Sequence, residues 1–337
     1  MNSMQRVLTA LSQKKPDRVP LMLLFSHYGA KETGITIKDY FSNPDNVIEA
    51  QMKMHKKYKS DCLYAFSYAS LELEAFGGNT IFFKDGPPNS SKPILKNLQQ
   101  IEQLKVPEIM ECPSLQRVLR TISGLKKEVQ DTVPIIGVVM SPFSLPVMQL
   151  GFEHYLDMMQ FHFGFFEKLM EINKQFCVRW ANAQIQAGAT AICYFDPVSS
   201  PDIVSPQFYK KTGFAIAKET IAQIQGPTAT HFASGRCKEI LEDVIQTKTA
   251  IACVSSLEDI GEIKNICNGR LSILGNLNGI EMCRWTELEA EKAVRDIIEK
   301  AGKNGGLLLA ENHGEVPYYV QEKILLSIAS AVERWGT

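Results

Sequence analysis

The chain alternates between two hydrophobic patterns from end to end. Short apolar runs rich in β-forming residues are each followed by a longer segment with apolar residues at helical spacing, which indicates parallel strands joined by helical crossovers. The pattern predicts strands at residues 19–25, 62–68, 133–140, 190–195, 228–232, 251–254, 271–274 and 307–309. It predicts helices at residues 46–58, 114–129, 155–187, 206–225, 237–246, 260–267, 287–301 and 320–335.

Strands that alternate with helices in this number fit a closed (β/α)₈ TIM barrel better than an open, doubly wound sheet. The 337 residues suffice for such a barrel, which runs to about 250 residues or more with insertions. Residues 1–17 read as an amphipathic helix ahead of the first strand. We therefore expect a single α/β barrel domain over residues 1–337 with an N-terminal helical extension.

Composition narrows the classes of function. Hydrophobic residues make up 45% and charged residues 22% of the chain, and the net charge is −1, so no surface for nucleic acid is expected. No window reaches the roughly 18 apolar residues of a membrane span, and residues 1–17 lack the apolar stretch of a signal peptide. We expect a cytoplasmic protein without a membrane partner. The 8 cysteines contain no C-x-x-C pair and are expected to be reduced.

Candidate chemistry lies where the predicted strands end, because the loops after barrel strands converge on the active site. The distinctive polar residues at or just after strand ends are Ser26, His27, Tyr28, Tyr68, Ser70, Asp196, His231, Ser255, Ser256, Asn276, Asn278, Glu311, Asn312 and His313. His231 precedes a glycine-containing turn, where a histidine suits a metal ligand or an acid/base. A packing histidine with a hydrogen-bonded ring is the alternative.

Two further segments have similar alternatives. The loop at residues 311–317 contains Glu311, His313 and Glu315 beside a glycine and a proline, although acids before a helix also serve as caps. Asp196 ends an apolar strand and is a candidate acid/base, but Asp before Pro also forms turns. Glu72 and Glu74 would face different sides of a helix, so only one of them can point at the site.

Three segments resemble one known family. Residues 71–83 (LELEAFGGNTIFF), 196–206 (DPVSSPDIVSP) and 273–279 (ILGNLNG) occur in the order found in the uroporphyrinogen decarboxylase superfamily, and the second resembles the signature of its corrinoid-dependent methyltransferases. With residues 306–317, the resemblance covers essentially the whole chain. It implies a β-hairpin insertion after the second strand.

The resemblance also separates two branches. Decarboxylases of the family hold substrate propionates with arginines after the first strand and face the pyrroles with an aspartate after the second. Here those loops read FSHYG, at residues 25–29, and SYAS, at residues 67–70. Recognition of many carboxylates requires arginine forks, so the methyltransferase branch is favoured. It implies methyl transfer between a small substrate and the cobalamin of a separate corrinoid protein.

Methyltransferases of this kind bind zinc through a His-x-Cys motif and a cysteine in the last loop. His231 matches the histidine, whereas Ala233 and His313 stand at the two cysteine positions. The resemblance thus predicts zinc held by His231 with His313, Glu311 and Cys237 as substitute ligands. Oxygen and nitrogen ligands make zinc a harder Lewis acid than thiolates do, which favours removal of methyl from a methoxy compound.

The remaining roles complete this hypothesis. Asp196 and Asn276 are predicted to be catalytic, and His27, Tyr28, Tyr68 and Glu74 to bind substrate. Aromatic residues at the barrel mouth, among them Phe25, Tyr28, Phe195, Tyr318 and Tyr319, are candidates for the rim that meets the corrinoid protein. Three alternatives stay open: a methylcobamide:thiol methyltransferase, a uroporphyrinogen decarboxylase, and a metal-free barrel that binds a small molecule. A monomer and a homodimer are equally consistent with the sequence.

Overall fold

The structure, a computed structural model, describes residues 1–65 and 67–337. Its main sheet consists of 7 parallel strands hydrogen-bonded in chain order. They are β1 (Leu63–Tyr64), β2 (Ile135–Met140), β3 (Ala191–Phe195), β4 (Thr228–His231), β5 (Ile251–Cys253), β6 (Ser272–Leu274) and β7 (Leu307–Leu308). The strand predicted at residues 62–68 is shorter than expected, and Phe66 within it lies outside the described residues.

The first predicted strand, residues 19–25, occupies the gap between the two edge strands of this sheet. It makes a parallel bridge from Leu21 to Leu309 after β7, and Met22 N donates to Leu309 O (2.8 Å). On the other side, Asp61 N donates to Leu21 O (2.5 Å) just before β1. The segment does not form a regular strand, because the N–H groups of Leu21 and Leu23 donate to the side chains of Asp61 (2.9 Å) and Ser60 (3.2 Å) instead of to backbone carbonyls. These contacts join the two edges, and the predicted TIM-barrel class is confirmed.

Helices surround the sheet in the expected alternation. The α-helices are Ser3–Leu11, Tyr28–Thr33, Ile37–Ser42, Pro44–Tyr58, Leu71–Ala75, Pro113–Val129, Pro146–Leu150, Phe152–Phe161, Phe163–Ala187, Pro206–Lys211, Gly213–Ile221, Leu241–Gln246, Ile260–Cys267, Gly279–Met282, Glu287–Ala301 and Glu322–Trp335. Short 3₁₀ helices lie at Leu98–Gln103, Ile109–Glu111, Pro197–Ser199 and Lys238–Ile240. The helix predicted at residues 155–187 is two helices that meet at His162, which has a non-helical backbone (φ −131°, ψ 52°).

Strand alternation divides the apolar side chains into two layers. In β2, Ile136 and Val138 belong to an inner cluster within the barrel, whereas Ile135 and Val139 belong to the larger cluster under the helices. Because successive side chains of a strand point to opposite faces, the near-continuous apolar runs in the sequence are explained by burial on both sides.

The N-terminal helix Ser3–Leu11 lies at the end of the barrel opposite the strand ends that carry the polar residues. Its Val7 packs in the inner cluster. Arg6 bonds to the buried Asp61 (2.6 Å), and Arg18 binds the same carboxylate (2.7 Å). The helix therefore forms the floor of the barrel.

Two other features follow the sequence predictions. The expected hairpin insertion is present as the antiparallel strands Thr80–Ile81 and Asn89–Ser90. Among residues 1–65 and 67–337, no helix is both long and apolar enough to cross a membrane.

Candidate active site

His231 is the last residue of β4 and is 1% exposed. The Ala233 N–H donates to its Nδ1 (3.0 Å), so Nδ1 has no proton and the neutral ring carries its proton on Nε2. Nε2 is buried and has no hydrogen-bond partner in the structure. Burial and the nearby His313 lower the pKa of His231 to about 3. The ring is therefore neutral and offers one unused N–H.

Glu311 follows β7 and is 1% exposed. Its Oε2 accepts the N–H groups of His313 (2.7 Å) and Gly314 (3.1 Å), whereas Oε1 is buried without a partner in the structure. Burial raises the pKa of this carboxyl to about 8, against the lowering effect of the backbone donors. Glu311 is thus protonated at neutral pH.

Gly314 connects these two side chains. Its N–H donates to Glu311, and a Cβ added to it would lie 3.5 Å from His231 Cε1 and 2.8 Å from the ring of Phe195. Phe195 in turn packs on His231, with ring centroids 5.3 Å apart. The last loop, which carries Glu311, therefore lies directly against His231.

Asp196 also lies at this end of the barrel but is enclosed by hydroxyl groups. Its carboxylate accepts from Ser141 (2.5 Å), Ser144 (2.8 Å) and Ser199 (2.5 Å). Burial raises the pKa of Asp196, and these hydrogen bonds oppose the rise. The arrangement ties the loop after β2 to the loop after β3, and the catalytic role of Asp196 stays a prediction.

Asn276, the other residue predicted to be catalytic, similarly joins two loops. Its Nδ2 donates to Ser255 O (2.8 Å) and Glu258 O (3.1 Å) in the loop after β5. The structure shows this amide as a positioning group, and its catalytic role is untested.

The four residues predicted to bind substrate do not form one cluster. His27 is buried at the mouth, with Nδ1 2.8 Å from Glu315 Oε2. Tyr28 is buried under the helices and donates to Val320 O (3.1 Å), which removes it from the mouth. Tyr68 donates to Glu74 (3.0 Å) near the hairpin. Of these four, His27 is the residue paired with the last loop.

Residues 2–335 match the family model described as Uroporphyrinogen decarboxylase (URO-D). The chain belongs to the uroporphyrinogen decarboxylase family. The expected family is thereby confirmed, and the match covers essentially the whole barrel.

Relatives within the uroporphyrinogen decarboxylase family have two kinds of name. The chain is 28% identical over 341 residues to "Methylcobamide:CoM methyltransferase MtaA" of Methanosarcina barkeri (strain Fusaro / DSM 804), covering 98% of each chain. It is 26% identical over 337 residues to "Uroporphyrinogen decarboxylase" of Geobacter sp. (strain M21), covering 96% of each. A solved structure, "methyltransferase from Methanosarcina mazei", superimposes with a TM-score of 0.89 at 19% identity, covering 99% of each chain, which shows the shared fold.

The zinc site expected for the methyltransferase branch of this family does not fit the residues present. A histidine that binds a metal through one ring nitrogen keeps a proton on the other nitrogen. His231 Nδ1 accepts the Ala233 N–H and so carries no proton. Its Nε2 therefore keeps the ring proton and is not prepared to bind a metal. With the Asn312 amide oriented so that both of its ends have partners, His313 Nδ1 likewise accepts from Asn312 (2.9 Å). Within residues 1–65 and 67–337, no three His, Cys, Asp or Glu side chains are grouped to hold a metal ion.

Cys237 is fully buried against Glu258 of the loop after β5. Its Sγ is 3.6 Å from Glu258 Oε2 and 3.9 Å from Cys253 O, and burial raises the pKa of this thiol well above its ordinary value. Since the thiolate is the form that binds metals, Cys237 cannot replace the missing family cysteine without rearrangement. The spacing of one helical turn from Ala233 suggested that the Cys237 thiol lies near His231. The chain instead turns between the two positions, and the thiol faces Glu258 and the Cys253 carbonyl.

Glu72 is a second buried carboxyl, which the sequence did not place among the site residues. The Glu72 side chain lies at the end of β2, where its Oε1 accepts the Met140 N–H (2.8 Å) and its Oε2 has no partner in the structure. Burial raises the pKa of Glu72 to about 8. The alternation of Glu72 and Glu74 predicted that only one faces inward, but not which one, because helix orientation is set by packing.

Proposed function

We propose that this protein is a corrinoid-dependent methyltransferase, which moves a methyl group between a small substrate and the corrinoid of a carrier protein. The carrying observation is the pair of buried, unpartnered atoms His231 Nε2 and Glu311 Oε1 at the C-terminal end of the barrel. Unused polar groups in a buried site are costly unless a ligand satisfies them. These two groups suit a substrate with a small polar atom that accepts a hydrogen bond from the His231 N–H and contacts the Glu311 carboxyl.

The similarity to methylcobamide:CoM methyltransferase supports methyl transfer over decarboxylation. The loop after the first strand also argues against decarboxylation, because residues 25–29 contain no arginine that could hold substrate carboxylates. Glu311, a neutral carboxyl at pH 7, and a neutral His231 also give the site little positive charge.

For the direction of transfer, we propose removal of methyl from a methoxy compound or a similar methylated molecule. In this step the bond from methyl carbon to oxygen breaks, and both electrons stay on the oxygen. That oxygen takes the proton of Glu311, while the carbon forms its new bond with the electron pair of a reduced Co(I) corrinoid. The carboxyl group acts as a general acid, and its raised pKa keeps the proton available.

Methylation of a thiol is the second candidate, supported by the name of the methanogen relatives. That reaction releases a proton, so it needs a base. Glu311 is protonated at neutral pH and His231 has a pKa of about 3, so the first can accept no proton and the second accepts one poorly. The electrostatics of the site therefore favour demethylation.

The carrier protein is expected to dock on the mouth of the barrel. The predicted rim needs correction, since Phe25 and Tyr28 are buried. Exposed apolar side chains instead follow the strands on several loops, namely Phe83, Ile203, Leu257, Ile280 and Tyr319. We name these five residues the mouth rim.

The test is methyl transfer with purified corrinoid carrier, reduced for methyl ethers and premethylated for thiols. Methyl ethers should be demethylated, and thiols should be methylated more slowly. Efficient thiol methylation without any ether cleavage would falsify the proposed direction. Full activity of both His231→Ala and His313→Ala would show that neither histidine takes part in the transfer, and no transfer by the wild type with either kind of substrate would favour a binding protein instead.

Elemental analysis separates this proposal from the zinc-assisted one. The wild type and His231→Ala should both contain much less than one zinc per chain, because His231 Nδ1 accepts the Ala233 N–H and the ring proton then lies on Nε2. One zinc per wild-type chain that disappears in His231→Ala would overturn the proposal that the Glu311 carboxyl, rather than a metal ion, assists the leaving oxygen.

A further inference from the structure

The interior of the barrel beneath His231 contains an apolar cavity of about 80 Å³. Val7 and Leu11 of the N-terminal helix line its floor, and Ile136, Cys193 and Ile251 form part of its wall. His231 lines the cavity at the C-terminal end of β4. The cavity therefore reaches from the floor of the barrel to the candidate active site.

Three small side chains explain why this space is not filled. Ala191, Ala229 and Ala250 lie on or beside three neighbouring strands, and all three line the cavity. Each retains some accessible surface despite its place within the sheet. Barrel interiors are usually packed with bulky branched residues in layers, so this run of alanines leaves a void where packing is normally complete.

We infer that this cavity is a binding site for a small apolar molecule, or for the short aliphatic end of a molecule whose polar atom meets His231 Nε2. An apolar cavity excludes water, which lacks polar partners there, but accepts apolar guests of the right size. The volume is roughly half that of the about 150 Å³ cavity known to take benzene. The site should therefore accept xenon and dimethyl sulfide and reject benzene.

The link to His231 rests on a second observation. Its Nε2 carries the proton of the neutral ring and has no partner in the structure. A guest with one sulfur or oxygen atom can accept that hydrogen bond while its alkyl groups occupy the apolar space. This inference does not depend on methyl transfer, and it can be tested without a corrinoid protein.

The first experiment is xenon binding, measured by ¹²⁹Xe NMR and by diffraction from xenon-pressurised crystals. Wild type should bind one xenon inside the barrel, and Ala229→Val should lose it, because the added methyl groups occupy the cavity. The matched control is Ala252→Val, a fully buried residue in β5 that packs in the outer cluster and does not line the cavity. It should retain xenon binding.

Thermal unfolding provides a second readout. Ala229→Val fills empty space and should keep or raise the melting temperature, whereas Ala252→Val enters a packed layer and should lower it. Absence of interior xenon in the wild type, or unchanged binding in Ala229→Val, would overturn the inference. If Ala252→Val fails to fold, the wild type and Ala229→Val still decide the result.

The second experiment follows the ring of His231 by ¹⁵N NMR during titration with dimethyl sulfide. The His231 signals should shift in the wild type and stay unchanged in Ala229→Val, and benzene should have no effect on either. Interior binding of dimethyl sulfide without a shift of the His231 signals would overturn the connection to the active site. Because neither measurement uses activity, failure here is distinguishable from failure of the proposed reaction.

Discussion

The two oxygen atoms of Glu311 have different surroundings, and the difference defines a chemical role. Oε2 accepts two backbone donors from its own loop, which fixes the carboxyl, while Oε1 remains free of partners in the structure. A buried polar atom without a partner costs about 1–3 kcal/mol. The fold retains this cost at the mouth, where a substrate atom can remove it.

Glu311→Gln should slow demethylation of a methyl ether by about 10²–10⁴-fold, the usual contribution of a general acid. In the wild type, the rate should fall as the pH rises through about 8, because Glu311 then loses its proton. Glu72→Gln is the control, since Glu72 is equally buried and also has a pKa of about 8. Equal losses in both variants would show that the effect is structural rather than catalytic.

Glu72 should make stability depend on pH. Below its unfolded pKa of 4.5 the carboxyl is neutral in both states; between 4.5 and about 8 it ionises mainly in the unfolded chain. Stability therefore falls across this range, by up to about 1.4 kcal/mol per pH unit. Glu72→Gln should lack this contribution. Its free energy of unfolding in urea, relative to that of the wild type, should therefore be higher at pH 8 than at pH 5.

The control variant for Glu72→Gln is Glu333→Gln, which removes an exposed carboxylate paired with Lys59. Exposed pairs contribute about 0–1 kcal/mol, so this variant should follow the wild type at both pH values. A constant difference between Glu72→Gln and the wild type at pH 5 and pH 8 would contradict the raised pKa.

Among the secondary-structure elements, the last loop is the one that assembles the site. Residues 311–316 contact the segment after the first strand through His27 and Glu315, and Gly314 lies on His231 and Phe195. Val316 N donates to Leu24 O (2.9 Å), which anchors the loop to residues 19–25. A change in its backbone should therefore disturb His231 before it disturbs the barrel.

Gly314→Ala tests this arrangement. Gly314 has φ +92°, and a Cβ would lie 2.8 Å from the Phe195 ring, so both strain and a clash are expected. Gly77→Ala is the control, because Gly77 has φ +87° but no atom within 4 Å of an added Cβ. Both variants should lose some stability in urea unfolding, but only Gly314→Ala should lose methyl transfer. Unchanged activity of Gly314→Ala would contradict the role of the loop.

The alternation of patterns was sufficient to predict the barrel, since seven of the eight predicted strands are strands of the sheet. Position at strand ends also predicted that His231, Glu311 and His27 lie at the mouth. It could not predict the direction of side chains beyond the strands, because turns and helices there are oriented by packing. Tyr28 and Cys237 are therefore buried, and Glu72 rather than Glu74 is the buried carboxyl.

On the scale of the whole molecule, the two ends of the barrel differ. The floor is closed by the helix Ser3–Leu11 and fastened by Arg6 and Arg18 on Asp61. The other end exposes the mouth rim, where Leu257 is 64% and Ile280 is 58% exposed. Exposed apolar groups gathered around a site mark a surface for a partner. A macromolecular substrate can thus approach from the mouth side while the floor stays closed.

Leu257→Glu and Ile280→Glu should raise the KM for the corrinoid carrier protein while leaving the unfolding free energy within about 0.5 kcal/mol of the wild type, as is usual for surface changes. A buried charge at an interface is costly, so association should weaken. Leu326→Glu is the matched control, since Leu326 is 40% exposed but lies on the helix Glu322–Trp335 and is not part of the mouth rim.

The comparison also distinguishes docking from chemistry. If the mouth rim binds the carrier, a free corrinoid should react at the same rate with Leu257→Glu as with the wild type, because Glu311 and His231 are unchanged. Equal KM values for the carrier in Leu257→Glu, Leu326→Glu and the wild type would place the docking surface elsewhere. A rate loss that persists with free corrinoid would instead indicate that Leu257 supports the neighbouring loop after β5 and, through Asn276, the site itself.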